Sequence, residues 1–525
     1  MIKNSAIKRN VLFCLAVTGV YLLVNLILVF AHEQYFNEAN QWQIAKHASL
    51  SELPDILKTE GHPILYYLLL MPLAKLGLPI IFANILSLLI MTLAVFLLVR
   101  YSPFKRATIL LIIFSVGFMY YLPVFARNYC LVALSVVLVG VSYKNRLTHP
   151  IKYCLSLALL LQSHILAAGL VGALFCFFVI DYVKCARKKI KERARLRRFV
   201  IGVLVVLASL AILVYCLWGS TEAHGYLKPN LLPDDARHED GIWEYLSALG
   251  QTIFGLYGIG MIILLLFLAL SFYFLIQYTK ILFIWLVAIS FQACVLVMLY
   301  VFGRFTHDSL NVLYFILCFW ITYYEEPSNG KWVKNIKKYL LKLEVSKLVK
   351  NVIRPNKDAV LGCICALTIP CVLAASFHDL TAEYSQAKSV ATYVNKNLPA
   401  GSILVTAAEH ENVIAIVPFL RDDILVYDMV QGKQLNYIIY DANSARKPSA
   451  DEILRVMRGL SAKNVYFVTL AIYIDESTGI RREYGTAQVV DQLELVRDFK
   501  NTNVGAEYVS LPLEQYWALY KIPVR

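Results

Sequence analysis

The chain has 525 residues, of which 59% are hydrophobic and only 16% charged, with a formal net charge of +14 and a mean hydropathy of +0.60. An average soluble domain is roughly 45–50% apolar and about 25% charged. The composition therefore excludes a water-soluble enzyme, a disordered chain and a fibre, and it indicates a polytopic membrane protein.

Eleven apolar stretches approach the length of about 20 residues that a helix needs to cross a bilayer core. They lie near 11–31, 80–99, 107–122, 129–143, 152–163, 165–183, 199–218, 251–277, 281–301, 310–324 and 359–377. Residues 64–78 are also apolar, but they contain Pro72 and Lys75 and are too short to span. This segment predicts a helix in the outer membrane interface.

Lysine and arginine are distributed unevenly between the two sides of this arrangement. If the N-terminus is cytosolic, the segments on its side carry 28 Lys and Arg residues, and the opposite segments carry 7. Cytosolic loops of membrane proteins are enriched in these residues, which explains the net charge without a nucleic-acid partner. The expected location is the cell inner (plasma) membrane, with a cytosolic N-terminus and an extracytoplasmic C-terminus.

The distribution of apolar stretches predicts two domains. Residues 1–378 would form the transmembrane domain, with a first outer loop at 32–79, and residues 379–525 an extracytoplasmic α/β accessory domain. In the second domain, strand patterns occupy 402–406, 424–428, 436–440 and 464–470, and helical patterns occupy 381–397 and 451–460. The predicted fold class is a polytopic α-helical membrane protein of about eleven transmembrane helices with a C-terminal α/β domain.

Charged residues are nearly absent from the predicted spans, where Asp181 stands alone at a cytosolic end. Ionisable residues inside a membrane usually mark ion or proton paths, so their absence argues against an ion-coupled transporter. It does not argue against a passive channel or a flippase. The charged residues are concentrated at the outer surface instead.

The first outer loop contains five carboxylates between residues 33 and 60, with Lys46 and Lys58 among them. A carboxylate beside the low-dielectric interface has a raised pKa and can remove a proton from a hydroxyl group. Alternatively, these residues are ordinary solvated loop charges. Both interpretations fit the sequence of the loop by itself.

Cationic residues follow several outer ends of the predicted spans. They are Arg127 in Arg127-Asn128-Tyr129, His164 in Ser163-His164, and Arg304 with His307 and Asp308. An arginine fork suits a pair of phosphate oxygens, and a neighbouring histidine can donate to the same group. Each residue could instead cap a helix or anchor it at the interface.

Three motifs in the membrane part resemble a known family by their order and outward placement. They are NEANQWQIAKHASLSEL at 37–53, EGHPILYYLLL at 60–70, and Arg-Asn-Tyr after the third predicted span. With them the chain resembles the GT-C superfamily of membrane glycosyltransferases, in the branch that includes protein O-mannosyltransferases and the lipid A aminoarabinose transferase. The resemblance covers about residues 1–380.

The resemblance implies a GT-C-like fold and an inverting transfer of a sugar from a polyprenyl-phosphate carrier to an acceptor on the extracytoplasmic face. The acceptor would be an envelope glycan, lipid or protein. The family's loop usually opens with Asp-Glu, whereas this chain has Asn37-Glu38. Glu38 is therefore the expected base, with Glu33 as its alternative. Some relatives bind a divalent metal at this loop, so a divalent cation stays possible, without assigned ligands.

The resemblance and the outer cationic residues together nominate a substrate-binding set. Its members are Asn37, Lys46, His62, Arg127, Asn128, Tyr129, His164, Arg304 and His307. Two further functions stay open beside the glycosyltransferase. They are a transporter or flippase for a lipid-linked or polar substrate, and an envelope assembly protein whose tail binds a partner.

Overall fold

The computed structural model describes residues 2–188, 193–218, 241–254, 259–299, 305–328, 357–407, 410–439, 448–460, 464–474, 492–501 and 513–523. The chain is helical up to Thr381 and ends in a six-stranded sheet. The helices of the first part are α1 Ile2–Ala31, α2 Phe36–His47, α3 Leu53–Glu60, α4 Leu65–Lys75, α5 Ile81–Tyr101, α6 Arg106–Ile113, α7 Tyr121–Val124, α8 Tyr129–Tyr143, α9 Pro150–Leu161, α10 Ala168–Lys188, α11 Arg193–Leu217, α12 Gly241–Phe254, α13 Ile259–Leu275, α14 Thr279–Leu299, α15 Phe305–Ile321 and α16 Lys357–Thr381.

Six helical segments in the described part of the chain are long and apolar enough to cross a membrane. They are Val11–Ala31, Ile81–Tyr101, Ile165–Cys185, Leu196–Leu217, Thr279–Met298 and Asp358–Thr381. Shorter apolar helices, among them α4, α8 and α9, lie beside these segments. The predicted class, a largely helical multi-pass membrane protein with a C-terminal sheet, is confirmed at this level, and the number of about eleven spans stays a prediction.

Helix α8 is enclosed by its neighbours. Nearly all of its residues are buried, and it packs against α5, α9 and α15. A helix that is apolar on every side belongs inside a bundle, as observed. At Gly140 the ring of Trp320 approaches so closely that an added Cβ would lie 2.8 Å from it, so this position requires glycine. The 15 residues of α8 separate the two ends of the bundle by about 22 Å.

The third predicted span, at 107–122, does not form one continuous helix. Helix α6 has only eight residues, or about 12 Å, and the chain then continues through turns. Within these turns Tyr120 has φ 66° and ψ −76°, a strained conformation that costs on the order of 1–3 kcal/mol. Most side chains of the segment are buried in the protein, so its apolar composition reflects packing and not lipid exposure.

Two other predicted membrane segments have different outcomes. The span expected at 251–277 is divided between α12, which ends at Phe254, and α13, which begins at Ile259. The segment predicted to be an interfacial helix at 64–78 does form a helix, α4. Lys75, at its end, donates a hydrogen bond to the backbone carbonyl of Ala48 at 2.8 Å. This contact joins α4 to the end of α2.

The C-terminal part consists of a sheet with short helices. Its elements are α17 Ala387–Asn397, β1 Ile403–Thr406, α18 His410–Val413, β2 Leu425–Asp428, β3 Lys433–Gln434, α19 Ala450–Gly459, β4 Val465–Ile474, β5 Glu494–Asn501 and β6 Leu513–Lys521. The strand order is β3-β2-β1-β4-β6-β5. Strands β2, β1 and β4 are parallel neighbours, whereas β3, β6 and β5 pair antiparallel with their neighbours. The predicted α/β character agrees with this sheet.

The strand predicted at 436–440 is wrong for its described residues, 436–439, which form bends and irregular structure. The backbone N–H of Ile438 donates to the Oδ1 of Asn40 at 2.8 Å, so it is not available to a strand. The apolar side chain of Ile438 is fully buried all the same. Helix α16 ends at Thr381, so the predicted boundary between 378 and 379 lies in its last turn, and the two-domain division stays a prediction.

Two basic and two acidic side chains form a network at the end of the bundle where α8 terminates. Arg146 contacts Asp181 at 2.9 Å and Glu325 at 2.7 Å, and Lys280 contacts the same two carboxylates. The hydroxyl of Tyr143 donates to Glu325 at 2.7 Å. The charges alternate in sign, so these chain segments are held together without net charge.

Candidate active site

The polar helix α2 carries the centre of the candidate site. It contacts α4 on the membrane side and α18 of the C-terminal part. Four of its polar side chains, Glu38, Asn40, Gln41 and Gln43, are buried. Buried polar groups are costly unless they are hydrogen-bonded. Glu38 and Asn40 have partners, whereas both polar atoms of Gln41 and the Oε1 of Gln43 have none among the described residues. Most of α2 is thus enclosed by the protein, although it belongs to the predicted first outer loop.

The carboxylate of Glu38 is fully buried and is held by four donors. Its Oε1 accepts from the side chain of Asn84 at 2.8 Å and from the backbone N–H of Ala126 at 2.6 Å. Its Oε2 accepts from the backbone N–H of Tyr35 at 3.2 Å and contacts the Nε2 of His32 at 3.0 Å. These contacts fix Glu38 rigidly.

His32 joins Glu38 to the end of the last membrane helix. Its Nδ1 lies 2.9 Å from the carboxylate of Asp379, so the imidazole bridges two buried carboxylates. Burial lowers the pKa of His32, but the charges of Asp379 and Glu38 outweigh this effect and raise the pKa to about 10. His32 is therefore an imidazolium at neutral pH, and it connects the first loop to residue 379.

Glu33 caps a helix of the C-terminal part. Its carboxylate accepts from the backbone N–H groups of Ser385 at 3.0 Å, Gln386 at 2.7 Å and Lys388 at 2.7 Å. These groups are at the start of α17, where a helix leaves its N–H groups without internal partners. Burial raises the pKa of Glu33, and the three N–H donors partly offset that rise. Glu33 joins the first loop to the C-terminal part.

Arg127 lies across the N-terminal turn of α2. Its Nη1 donates to the backbone carbonyl of Asn37 at 3.2 Å, and its Nη2 contacts the Nε2 of His62 at 2.8 Å. A guanidinium can only donate, so the Nε2 of His62 accepts and the proton of a neutral His62 ring is at Nδ1. The amide nitrogen of Asn37 has no hydrogen-bond partner in the described part of the chain.

His164 is nearly completely buried beside this group. Its Nδ1 accepts from the backbone N–H of Leu166 at 3.1 Å, so the ring's proton is at Nε2. That Nε2 has no hydrogen-bond partner among the described residues. Burial, followed by the nearby charge of Arg127, lowers the pKa of His164 to about 3, so the ring is neutral. His164 therefore offers one N–H donor.

Aromatic contacts complete the group. Tyr129 stacks on His164 with ring centroids 4.8 Å apart, and His307 lies 5.7 Å from His164 and 5.6 Å from Tyr129. The rings of His62 and His164 are 5.5 Å apart. Asn128 donates to the backbone carbonyl of Ser163 at 2.6 Å, which holds the start of α8 against the turn that carries His164.

The structure thus brings most of the nominated binding residues into one place. We call Asn37, His62, Arg127, Tyr129, His164 and His307 the cationic cluster. Lys46 is not among them, because it is exposed in the last turn of α2. Arg304 lies outside the described residues. No group of three or more His, Cys, Asp or Glu residues in the described part of the chain could hold a metal ion, and we assign no metal ligand.

The cationic cluster has a buried floor and an open side. Arg127, Tyr129, His164 and His307 are buried, whereas Asn37 and His62 are half-exposed. The cluster contains one permanent positive charge, on Arg127, and N–H groups of His164 and Asn37 that have no partner among the described residues. An arginine with nearby N–H donors suits the oxygens of a phosphate group, and a buried setting strengthens the attraction. The arrangement can bind an anion.

The chain was compared with family models, with curated proteins and with solved structures. No family model matches the chain, and no curated protein matches its sequence. Among solved structures the chain is similar to the crystal structure of ArnT from Cupriavidus metallidurans in the apo state, at 12% identity and a TM-score of 0.49, over 98% of each chain.

Sequence reasoning missed three residues that hold the site together. They are His32, Asn84 and Asp379, which contact Glu38 directly or through His32. Asn84 and His32 had one signal in the sequence, since each is a polar residue at an end of a long apolar stretch. Asp379 had the same signal, since it follows the apolar stretch 359–377, but nothing in the sequence pairs it with His32, 347 positions away.

Proposed function

We propose that the protein is an integral membrane glycosyltransferase that moves a sugar from a polyprenyl-phosphate carrier to an acceptor on the extracytoplasmic face, with inversion at the anomeric carbon. The observation that carries this proposal is the cationic cluster, in which a buried Arg127 and the N–H donor of His164 meet the first outer loop. A lipid-linked donor stays in the bilayer, so an anion site beside apolar helices receives it at a high effective concentration.

The proposed chemistry requires two groups. As the bond between the sugar and the phosphate breaks, negative charge develops on the leaving polyprenyl phosphate, and Arg127 with His164 and His62 would stabilise it. A carboxylate of the first loop would take the proton from the acceptor hydroxyl. The sequence nominated Glu38 and Glu33 for that role. Both have their oxygens directed at protein donors, so their assignment as the base stays a prediction.

The location and partners belong to the same proposal. The site would face the extracytoplasmic side of an inner or plasma membrane, and residues 379–525 would form an accessory domain on that side. The partners would be the polyprenyl-phosphate sugar, membrane lipid, and an envelope glycan, lipid or protein acceptor. The end of the bundle with Arg146 and Lys280 would then be cytosolic, in agreement with the uneven distribution of basic residues.

The test is donor turnover by the purified protein in lipid nanodiscs. Each member of a panel of polyprenyl-phosphate sugars is added, and free polyprenyl phosphate is measured by mass spectrometry. We expect release from at least one donor and a loss of about 10²–10³-fold in rate for Arg127→Ala, the magnitude seen when a donor to a developing charge is removed.

The matched control is Arg100→Ala, which removes an exposed arginine at the end of α5 and should leave the rate unchanged. A flippase for the same lipids would bind them through the same cluster and move them between leaflets, without releasing polyprenyl phosphate. Translocation of a donor between leaflets without release of polyprenyl phosphate, in an assay that also contains an envelope extract as the source of the acceptor, would therefore contradict the glycosyltransferase.

A further inference from the structure

The carboxylates near the cationic cluster differ in their exposure to solvent. Glu33, Glu38, Asp308 and Asp379 are all buried. Glu60 is half-exposed, at the last position of α3. A base must touch both the acceptor hydroxyl and a path by which the proton leaves. Among these five carboxylates, Glu60 has the access that this requires.

Helix α2 places Glu60 close to the anion site. The Nδ2 of Asn40 donates to the Oε1 of Glu60 at 2.7 Å, and Arg127 donates to the backbone carbonyl of Asn37. Residues three apart on a helix share a face, about one turn or 5 Å apart. Arg127 and Glu60 therefore contact α2 within about one turn of each other, Arg127 at a backbone carbonyl and Glu60 at a side chain.

Two other contacts hold Glu60 in this place. The hydroxyl of Tyr67, from α4, donates to the Oε2 of Glu60 at 3.2 Å. Gly61 follows with φ 70°, a conformation that glycine adopts without strain, and the chain turns there to place His62 against Arg127. Glu60 and His62 therefore lie on either side of the turn at Gly61, at the open side of the cationic cluster. Glu60 offers a carboxylate there and His62 an N–H donor.

We infer that Glu60 is the base that removes the acceptor's proton, an assignment that rests on the proposed glycosyltransferase function. The acceptor oxygen forms a bond to the anomeric carbon while its proton passes to a carboxylate oxygen of Glu60. The bond between that carbon and the phosphate oxygen breaks, and polyprenyl phosphate leaves with the electron pair. The proton then passes from Glu60 to water. Glu38 and Glu33 are positioning residues in this assignment.

The test uses the purified full chain in nanodiscs with a donor that the wild-type protein cleaves. The acceptor is water in one arm and sodium azide in the other. Water needs a base, whereas azide is already an anion and attacks without losing a proton. We expect Glu60→Ala to lower cleavage with water by about 10²–10⁴-fold, the usual contribution of general base catalysis. With azide, the same variant should recover and yield the inverted glycosyl azide.

The variants distinguish this role from its alternatives. Arg127→Ala should not recover with azide, because the leaving group loses its stabilisation. Glu52→Gln changes an exposed carboxylate of the same loop and should behave as the wild type. Donor affinity of Glu60→Ala should stay within about twofold of the wild-type value, which shows that the site is intact.

Two outcomes would overturn the assignment, and they have different meanings. If Glu60→Ala cleaves the donor with water at the wild-type rate, or if azide does not restore cleavage, Glu60 is not the base, although the proposed function survives. If the wild-type protein cleaves no donor of the panel with water, with azide or with an envelope extract as the source of the natural acceptor, the proposed function is wrong and the assignment of Glu60 is lost with it.

Discussion

The ring of His164 accepts the N–H of Leu166 at Nδ1, which leaves Nε2 as its donor. An Asn side chain in its place can still accept that N–H but cannot reach as far. We therefore predict that His164→Asn keeps the fold and weakens binding of polyprenyl phosphate by about 10–100-fold, equivalent to the loss of a hydrogen bond to a charged group, about 1.5–3 kcal/mol. Binding to nanodisc-embedded protein measures this change.

The control for this prediction is His149→Asn, since His149 is exposed before α9. The pKa of His164 also predicts a pH response. Because that pKa is lowered to about 3, the ring does not titrate between pH 5 and 8, and its contribution to binding should be constant there. A fall in affinity above pH 6.5 in the wild type that His164→Asn abolishes would show a charged His164 instead.

The pKa of His32 is raised, whereas that of His164 is lowered, and the ion pairs of His32 lead to a second prediction. His32→Gln leaves the carboxylates of Glu38 and Asp379 buried without their cation. Breaking a buried ion pair in this way costs about 3–5 kcal/mol, so the variant should unfold at a clearly lower temperature in detergent. A melting temperature equal to the wild-type value would contradict the network.

The pH dependence of unfolding gives the sign of the His32 contribution. The pKa is about 10 in the folded protein and near 6.5 in an unfolded chain, so the folded state holds the proton more tightly. The contribution is fully present below pH 6.5 and is lost as the pH rises to 10. The melting temperature of the wild type should therefore fall over this range by more than that of His32→Gln.

The sequence predicted most residues of the cationic cluster, but it did not predict the contacts that hold the neighbouring Glu38 in place. His62, Arg127, His164 and His307 share a rule, since all are polar residues at outer ends of predicted helices, and the structure brings them together. Asn84 and His32 also lie at ends of apolar stretches, but the sequence does not show that they contact Glu38. Glu38 meets Asn84 and Ala126 because α5 and the turns before α8 pack on α2, and this packing depends on contacts distant in sequence.

At the scale of elements, hydropathy identified apolar segments correctly but could not tell what covers them. The segment 107–122 is as apolar as a true span, yet it is covered by protein and turns at Tyr120. Those turns direct the backbone N–H of Ala126 at Glu38 and place Arg127 against α2. The predicted span therefore departs from a regular helix next to the candidate site. Irregular backbone is tolerated there because protein encloses it.

Helix α17 provides a prediction about the joint between the two parts. Glu33→Gln removes the charge that attracts three N–H groups and leaves one oxygen to accept them. We expect a loss of about 1–2 kcal/mol, the usual value of an N-terminal cap, and faster cleavage by protease between α16 and α17. Limited proteolysis in detergent measures the rate.

The matched control is Glu383→Gln, an exposed carboxylate in the same connecting segment that accepts a solvent-exposed hydrogen bond from the hydroxyl of Ser389, which the amide of Gln can also accept. It should be cleaved at the wild-type rate. Equal cleavage of Glu33→Gln and Glu383→Gln would show that the cap does not stabilise the joint. A lower glycosyl transfer rate in Glu33→Gln alone, without faster cleavage, would instead favour Glu33 as the base.

At the scale of the whole molecule, the two ends of the bundle differ in kind. One end holds the neutral network of Arg146, Lys280, Asp181 and Glu325, and the other holds the cationic cluster. The segments at each end are those that the alternation of spans assigned to the same side. Our proposal that the end with Arg146 is cytosolic depends on the pattern of basic residues, because a charged network by itself has no preferred side.

This assignment predicts which single cysteines a membrane-impermeant maleimide can reach. In a variant whose eleven cysteines are replaced by Ala or Ser, Ser51→Cys and Thr148→Cys introduce exposed thiols beside the two ends. In intact cells Ser51→Cys should be labelled and Thr148→Cys should not, whereas both should react after the membrane is permeabilised. Labelling of Thr148→Cys in intact cells, with Ser51→Cys protected, would show that the protein has the opposite orientation in the membrane. The cationic cluster and Glu60 would then face the cytosol, where a sugar donor would reach them from the opposite leaflet.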